Sequence, residues 1–480
     1  MHIFVKEKKT PTNRSTYTLI ICINYKILIH KVLIDSIKLG VYFGLLLFIS
    51  SCTRDTISEQ DVLDAALIRQ IDRESPTRSA DYYILPSSDE LNQIPQDPQN
   101  PLTPEKVALG NMLFYETGLA TDARYTSGIG TFSCSTCHVP SKGFRPGTFQ
   151  GVADGGLGFG VAGENRVRDS NYQEDEMDVQ SARPLSLVNV AFVTNTSWNG
   201  QFGSDGANVG TENLWHQSEA IERNSLGFSA LETQNFDGLE VHRMVTTKEF
   251  LDEYGYTEMY DNAFPELSEE MRYSNFATSF ALSAYLRTIM SNQAPFQEWL
   301  KGNSQAMSLS EKRGATLFFG KANCSNCHYE QNLGSGEFHR LGVKDLYQRP
   351  SFNTSISDRR NLGRGGFTMN EEDYYKFKVP TVYNAVDDPH YFHGSSKESI
   401  EDVIDYKIAA ISENDRVATE TLSSKFKPLS LTEEERDDLI TFIKVSLRDP
   451  DLERYMTSRV LSGNCFPNND PLSQSDLGCN

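Results

Sequence analysis

One pentapeptide occurs twice in this chain of 480 residues, as CSTCH at Cys134–His138 and as CSNCH at Cys324–His328. C-x-x-C-H is the attachment sequence of c-type haem: the two thiols add across the haem vinyl groups and the adjacent His reaches the iron. A single copy would also fit a redox dithiol or half of a zinc site. Two copies in an exported chain, where such thiols would otherwise oxidise, point to two covalent haems held by Cys134, Cys137 and His138 and by Cys324, Cys327 and His328. No other feature constrains the fold as strongly, because helices must pack around each group tethered this way.

Export is read from the N-terminus. The apolar run LGVYFGLLLFIS ends in ISSC, Ile49–Cys52, with the apolar-small-small-Cys order of a bacterial lipoprotein processing site. Residues 1–51 then form a signal segment and Cys52 is the lipidated first residue. The alternative is an uncleaved anchor, for which the run is short. Either way the chain belongs on the periplasmic side of a bacterial envelope, held to the membrane. Removing residues 1–51 takes away seven basic and two acidic residues, which leaves 38 basic and 63 acidic residues and a formal charge of −25. That balance disfavours nucleic acid and would steer a small basic redox protein to the surface. Cys22 falls in the removed segment. Cys465 and Cys479, in the Pro/Asn/Asp-rich tail, are expected to pair as a disulfide.

The repetition extends beyond the cysteines. LTPEKVALGNMLFYE before the first motif is echoed by LSEKRGATLFFG before the second, with Gly110/Gly314, Leu113/Leu317 and Phe114/Phe318 in correspondence. Each opens with a capping signal, Thr103 before Pro104 and Ser310 before Glu311. Asn189 lies 51 residues after His138 and Asn384 lies 56 after His328. The expected fold is therefore mainly α, with two cytochrome c-like haem domains related by internal duplication. The boundaries are a tether at 52–98, an N-terminal haem domain at 99–295, a C-terminal haem domain at 296–450 and a tail at 451–480. Between Arg54 and Pro104 the composition reads as an extended wrap. LTEEERDDLITFIKVSL reads as a helix capped by Thr432 and Glu435, with Leu439, Phe442, Ile443 and Leu447 on its stripe, and YSNFATSFALSAYLRTIM as another packed helix. In SIEDVIDYK, Ile400, Val403, Ile404 and Lys407 share one helical face, so an ammonium ends an apolar stripe. Snorkelling is the ordinary explanation of such a lysine.

The motifs LFYETGLATD, GTFSCSTCH, RPLSLVNVAF, SWNG, CSNCH, EFHRLGV, FKVPTVYN and YFHG, in this order from about Ile94 to about Leu447, resemble the bacterial di-haem cytochrome c peroxidases and the related enzymes that mature methylamine dehydrogenase. The resemblance implies an oxidoreductase whose N-terminal haem meets hydrogen peroxide and whose C-terminal haem relays electrons from a small cytochrome c or cupredoxin. It matches Trp198 to the tryptophan between the haems and His393 to a histidine beside the second. A homodimer is an assembly the family admits. Relatives carry a distal Gln and, ten residues on, a Glu; here Gln234 is in place, but Met244 stands at the second position. His242 and Glu240 are the remaining acid–base candidates. The loop after the first motif, residues 139–169, lacks the blocking histidine of many peroxidases, which leaves His216 or His242 to cap the iron if anything does. The family's sixth ligand to the second haem, fourteen residues after the His of YFHG, falls on Lys407, with Tyr406 one residue out of register as the alternative. The family's interdomain calcium would meet Arg183 where relatives have an asparagine, with backbone ligands at Asp388 and His390. Besides peroxidase, the resemblance leaves open an oxidase acting on a protein or other large substrate and a non-enzymatic electron-transfer lipoprotein.

Overall fold

Helices carry most of the ordered architecture in this computed structural model, which describes residues 58–479; the signal segment, Cys22 and Cys52 lie outside the described residues. The described residues up to Ala66 and those from Leu67 onward belong to two separate units. Among the described residues no helix is long and apolar enough to cross a membrane.

The segment expected as an extended wrap begins instead with helix α1, Glu59–Glu74. Its Leu67 and Ile71, one helical turn apart, are fully buried, and this apolar pair outweighs the polar composition around it. Helix α2, Pro104–Tyr115, starts where expected: the Thr103 hydroxyl accepts from Lys106 N at 3.2 Å and Pro104 fills the first turn. Then come α3, Ala230–Val241, and α4, Asn275–Arg287, which is buried on all sides from Ala277 onward.

Helix α5, Leu309–Phe318, begins two residues earlier than its sequence suggested. Ser308, not Ser310, is the cap, forming a capping box with Glu311, the residue three positions on. The Ser310 hydroxyl instead donates to Asp438 at 2.5 Å. Helix α6, Ile400–Ala409, is capped by Ser399. Helix α7, Glu433–Thr441, has the expected Thr432–Glu435 box and runs on through a π turn, Phe442–Ser446. Strands are few: β1, Gly156–Leu157, pairs with β2, Val167–Arg168, and β3, Ser335–Arg340, pairs antiparallel with β4, Lys376–Val379.

Two helix crossings organise the core. Helix α2 meets α4 at Gly110, where a methyl group would overlap the carbonyl oxygen of Ala281 and lie 2.9 Å from Tyr285 Cβ. Helix α5 meets α7 at Gly314, where a methyl would overlap the carbonyl oxygen of Asp438 and lie 2.8 Å from Phe442 Cβ. The asparagines repeat in the same manner. Asn189 and Asn384 both adopt the left-handed conformation, with φ of 57° and 51°. Asn189 N donates to Ile289 O at 2.8 Å and Asn384 N to Leu447 O at 2.9 Å, so each asparagine ties down the end of its half's second helix. Leu113, Phe114, Leu282, Phe318, Leu439 and Phe442 belong to one continuous apolar cluster.

Candidate functional site

Each C-x-x-C-H motif forms a short turn whose histidine is held through Nδ1. His138 Nδ1 donates to Phe144 O and His328 Nδ1 to Leu333 O, both at 2.9 Å, so Nε2 is the unprotonated atom in each neutral ring. Burial pushes both imidazoles down to about 4, against the help of those carbonyls, and keeps them in the neutral form that binds iron. Among the described residues Cys134, Cys137, Cys324 and Cys327 form no disulfides. These residue types fit two covalently held haems.

A cavity of about 330 Å³ is lined by Cys134, Cys137 and His138 on one side and by Gln234, Gly238 and His242 on the other. The last three recur every fourth residue along α3 and just past it, so they share one face. Glu240 lies two residues from His242 and points the other way, to an ion pair with Arg223 at 2.9 Å on the surface. It does not line the cavity, which corrects its placement as an acid–base candidate there. His216 is exposed and also absent from the lining.

His242 is oriented by a residue the sequence did not single out. Its Nδ1 donates to Asp178 Oδ2 at 2.7 Å. Asp178 is brought there by the loop after the first motif, where Asp178 N donates to Asp154 O and Ala153 N to Asp178 O. Burial alone would lower the His242 imidazole; the charge and hydrogen bond of Asp178, with Asp237, override it and raise its pKa. Nearby Asp237 is itself raised to about 6 by burial.

Trp198 lines the same cavity and joins the two halves of the chain. Its indole N–H donates to Arg183 O at 2.6 Å, its carbonyl accepts from Lys378 N on β4 at 2.9 Å, and its ring lies edge-on to His393 at 6.2 Å. His393 stacks on Phe377 with centroids 3.5 Å apart and donates from Nε2 to Asp345 at 2.9 Å, while its buried Nδ1 has no hydrogen-bond partner among the described residues.

At the second motif, the Lys407 ammonium faces the rings of Phe426 at 5.5 Å and Phe392 at 5.8 Å. It acts electrostatically on Cys324, Cys327 and His328, and no hydrogen bond or ion pair to it is found among the described residues. Burial pushes it down to about 8. Tyr406 is turned away, donating its hydroxyl to Leu341 O at 2.6 Å inside a cluster with Val343 and Phe426. Glu337 and His339 lie with Cys327 within 4.8 Å of one another, but Glu337 is already bound to Lys425 and His339.

Comparison with known proteins follows this geometry. The family model described as di-haem cytochrome c peroxidase matches residues 104–305. The chain is 30% identical over 360 residues to the methylamine utilization protein MauG of Methylorubrum extorquens, covering 74% of this chain and 82% of that one. The chain belongs to the di-haem cytochrome c peroxidase and MauG family. A second relative in this family, the cytochrome-c peroxidase IdrP1 of a Pseudomonas species, is 25% identical over 75% of this chain and 86% of its own length. Among solved structures, a MauG-like protein associated with microbial copper homeostasis superposes with a TM-score of 0.52 at 24% identity, over 77% of this chain and 95% of its own, a likeness of fold. Membership implies an oxidoreductase with two c-type haems.

The expected disulfide is present, and the structure adds where the tail it closes lies. Cys465 and Cys479 are bonded to each other, and the tail they close lies against the first motif: Ser133 donates to Pro467 O at 2.9 Å and Arg166 pairs with Asp470 at 3.3 Å. The interdomain calcium that the resemblance implies does not fit the residues present, because the residue in its side-chain ligand position is the Arg183 cation, which binds the Asp388 carboxylate.

Proposed function

We propose that this chain is an exported, lipid-anchored di-haem enzyme that reduces hydrogen peroxide to water with electrons from a small cytochrome c or cupredoxin. The carrying observation is the single cavity that joins His138 to Gln234 and His242 and also reaches Trp198. Each turnover combines one peroxide, two protons and two electrons, one from each of two reduced donor molecules, into two waters. When bound, the first haem supplies redox chemistry at the O–O bond, and the second stores an electron. The protein does the rest. His138 presents a neutral Nε2, Gln234 offers an amide to a bound oxygen, and His242 carries a proton on Nε2 while Asp178 holds its Nδ1–H. Trp198 and His393 form the aromatic crossing towards the second motif. The acidic surface favours a basic donor.

We further place the signal at 1–51, lipidation at Cys52, and two cytochrome c-like domains at 99–295 and 296–450 arising by duplication. The paired glycine crossings and paired asparagines support the duplication. Lys407 would supply the second protein ligand to a haem iron at His328: among the described residues its amine faces the Phe392 and Phe426 rings and makes no hydrogen bond or ion pair, whereas the Tyr406 hydroxyl is bonded elsewhere. A second reading, an oxidase modifying a large substrate, is favoured by the MauG name of the relative at 30% identity.

The test is the ferric electron paramagnetic resonance spectrum of the holoprotein together with peroxide-dependent oxidation of a reduced cytochrome. One high-spin and one low-spin haem with rapid donor oxidation support the peroxidase. Slow donor turnover with long-lived peroxide products shifts the assignment to the oxidase, and two low-spin haems inert to peroxide overturn both.

A further inference from the structure

Arg183 is among the largest fully buried side chains of the described residues, at 1% exposure, and its backbone and both terminal guanidinium nitrogens are bonded across the molecule. Its backbone N–H donates to His393 O at 2.8 Å, and its carbonyl accepts the Trp198 indole at 2.6 Å. The peptide units on either side of one residue thus hold both members of the aromatic crossing. Pro184 follows and disfavours a helical conformation at Arg183, which helps keep the two groups on an extended backbone.

The guanidinium closes a second set of contacts. Nη2 donates to Pro146 O at 2.8 Å and binds Asp388 Oδ1, and Nη1 donates to Thr148 O. Two carbonyls and a carboxylate are the oxygen donors that a hard dication takes. Here one planar cation satisfies all three through its fork of donors. Arg145 Nε adds a second guanidinium at Asp388 Oδ2, 3.2 Å away, and His390 N donates to Oδ1 at 3.1 Å. Asp388 therefore faces two positive charges. The unfilled atoms of the two guanidiniums, Arg145 Nη1 and Arg183 Nε, are donors. A metal ion entering here would meet two like-charged groups and lose its oxygens to them.

We infer that the Arg183 guanidinium, locked to Asp388, is a built-in replacement for the interdomain calcium of this family, and that it positions Trp198 against His393 so that the enzyme works without calcium. The inference rests on the reading of the chain as a di-haem enzyme. Arg183 acts through Trp198 and is a positioning residue.

The test uses full-length holoprotein. Pyridine haemochrome analysis comes first, because fewer than two haems per chain would fail the di-haem reading and not this inference. With two haems present, dialysis against a calcium chelator should leave the ferric spectrum, unfolding midpoint and donor oxidation unchanged, and elemental analysis should find no stoichiometric calcium. Bound calcium at one per chain, or a chelator-induced loss restored by calcium chloride, overturns the inference. Arg183→Met and Arg183→Lys then test positioning through the rate of electron transfer between the haems. We expect the Met variant to be slower by about tenfold or more, with Lys partly restoring the rate. An unchanged rate in Arg183→Met overturns the positioning role; if that variant does not fold, the rate in Arg183→Lys decides, and parent-like transfer there counts against the fork geometry.

Discussion

Replacing Gly314 by Ala is the change for which helix propensity and tertiary structure predict opposite signs. In an isolated helix, Ala is favoured over Gly by about 0.8–1.0 kcal/mol. In α5, however, the new methyl would overlap the Asp438 carbonyl oxygen and sit 2.7 Å from its carbon and 2.8 Å from Phe442 Cβ. Carbon atoms at rest are about 3.5–4.0 Å apart, so α5 and α7 would have to separate by roughly 1 Å along their crossing. The contact is backbone on one side, so no side chain can rotate away. Overpacking of this kind costs about 1–3 kcal/mol, which exceeds the propensity gain across most of its range. The net expectation is destabilisation of about 0–2 kcal/mol, centred near 1, a fall of up to a few degrees in the unfolding midpoint. The displacement should also reach the second haem site, because Phe318 at the end of α5 lies 6.2 Å from the His328 ring. Thermal unfolding of the holoprotein, followed by far-ultraviolet circular dichroism and by the Soret band, measures both effects. Gly110→Ala, at the crossing of α2 and α4, serves as an independent repeat. If both variants unfold at or above the parent temperature, the glycines are not there for close approach and the argument fails.

Asp178→Asn should shift the pH dependence of the peroxide reaction. Asp178 raises the His242 pKa, and the proposed role needs the ring protonated on both nitrogens, so the alkaline limb of the rate profile should move to lower pH in the variant, and an unmoved limb would remove His242 from proton transfer. The raised value also means that the pair stabilises the fold fully below the unfolded pKa near 6.5 and that this contribution is lost as pH rises through the folded value. The variant's stability deficit should accordingly be larger at about pH 6 than at about pH 9. Lys407→Met should introduce the weak near-infrared band of His/Met ferric haem and raise the potential of the second haem. A spectrum and potential identical to the parent would make Lys407 a packing residue.

The parts legible in the sequence are those whose cause is local. Covalent haem attachment is written in five consecutive residues, and helix starts such as Thr103 and Thr432 depend on side chains three positions from the backbone they cap. The misplaced cap at Ser310 shows the limit of that reading, since Ser308 offers the same chemistry two residues earlier and Ser310 is needed by Asp438. Helical register separated Lys407 from Tyr406 because a step of one residue turns a side chain by about 100°. Glu240 failed as a distal acid for the same reason: being near His242 in sequence put it on the opposite face.

By itself, then, the sequence carried the chemistry of the proposal: the two motifs at which haems would attach, the imidazole each would meet, and most of the segments that coil into helices around them. Only the tertiary structure decided the pairings that tune that chemistry. Asp178 reaches His242 across 64 residues, and Arg183 reaches Asp388 across 205. The C-terminal tail crosses more than 330 residues to lie on the first motif. The physical reason is that buried charges and polar groups need partners of fixed geometry, and any of many carboxylates along an acidic chain could supply one. Which carboxylate does so is settled when the helices pack around Gly110 and Gly314 and close the intervening loops, a choice that no local spacing records.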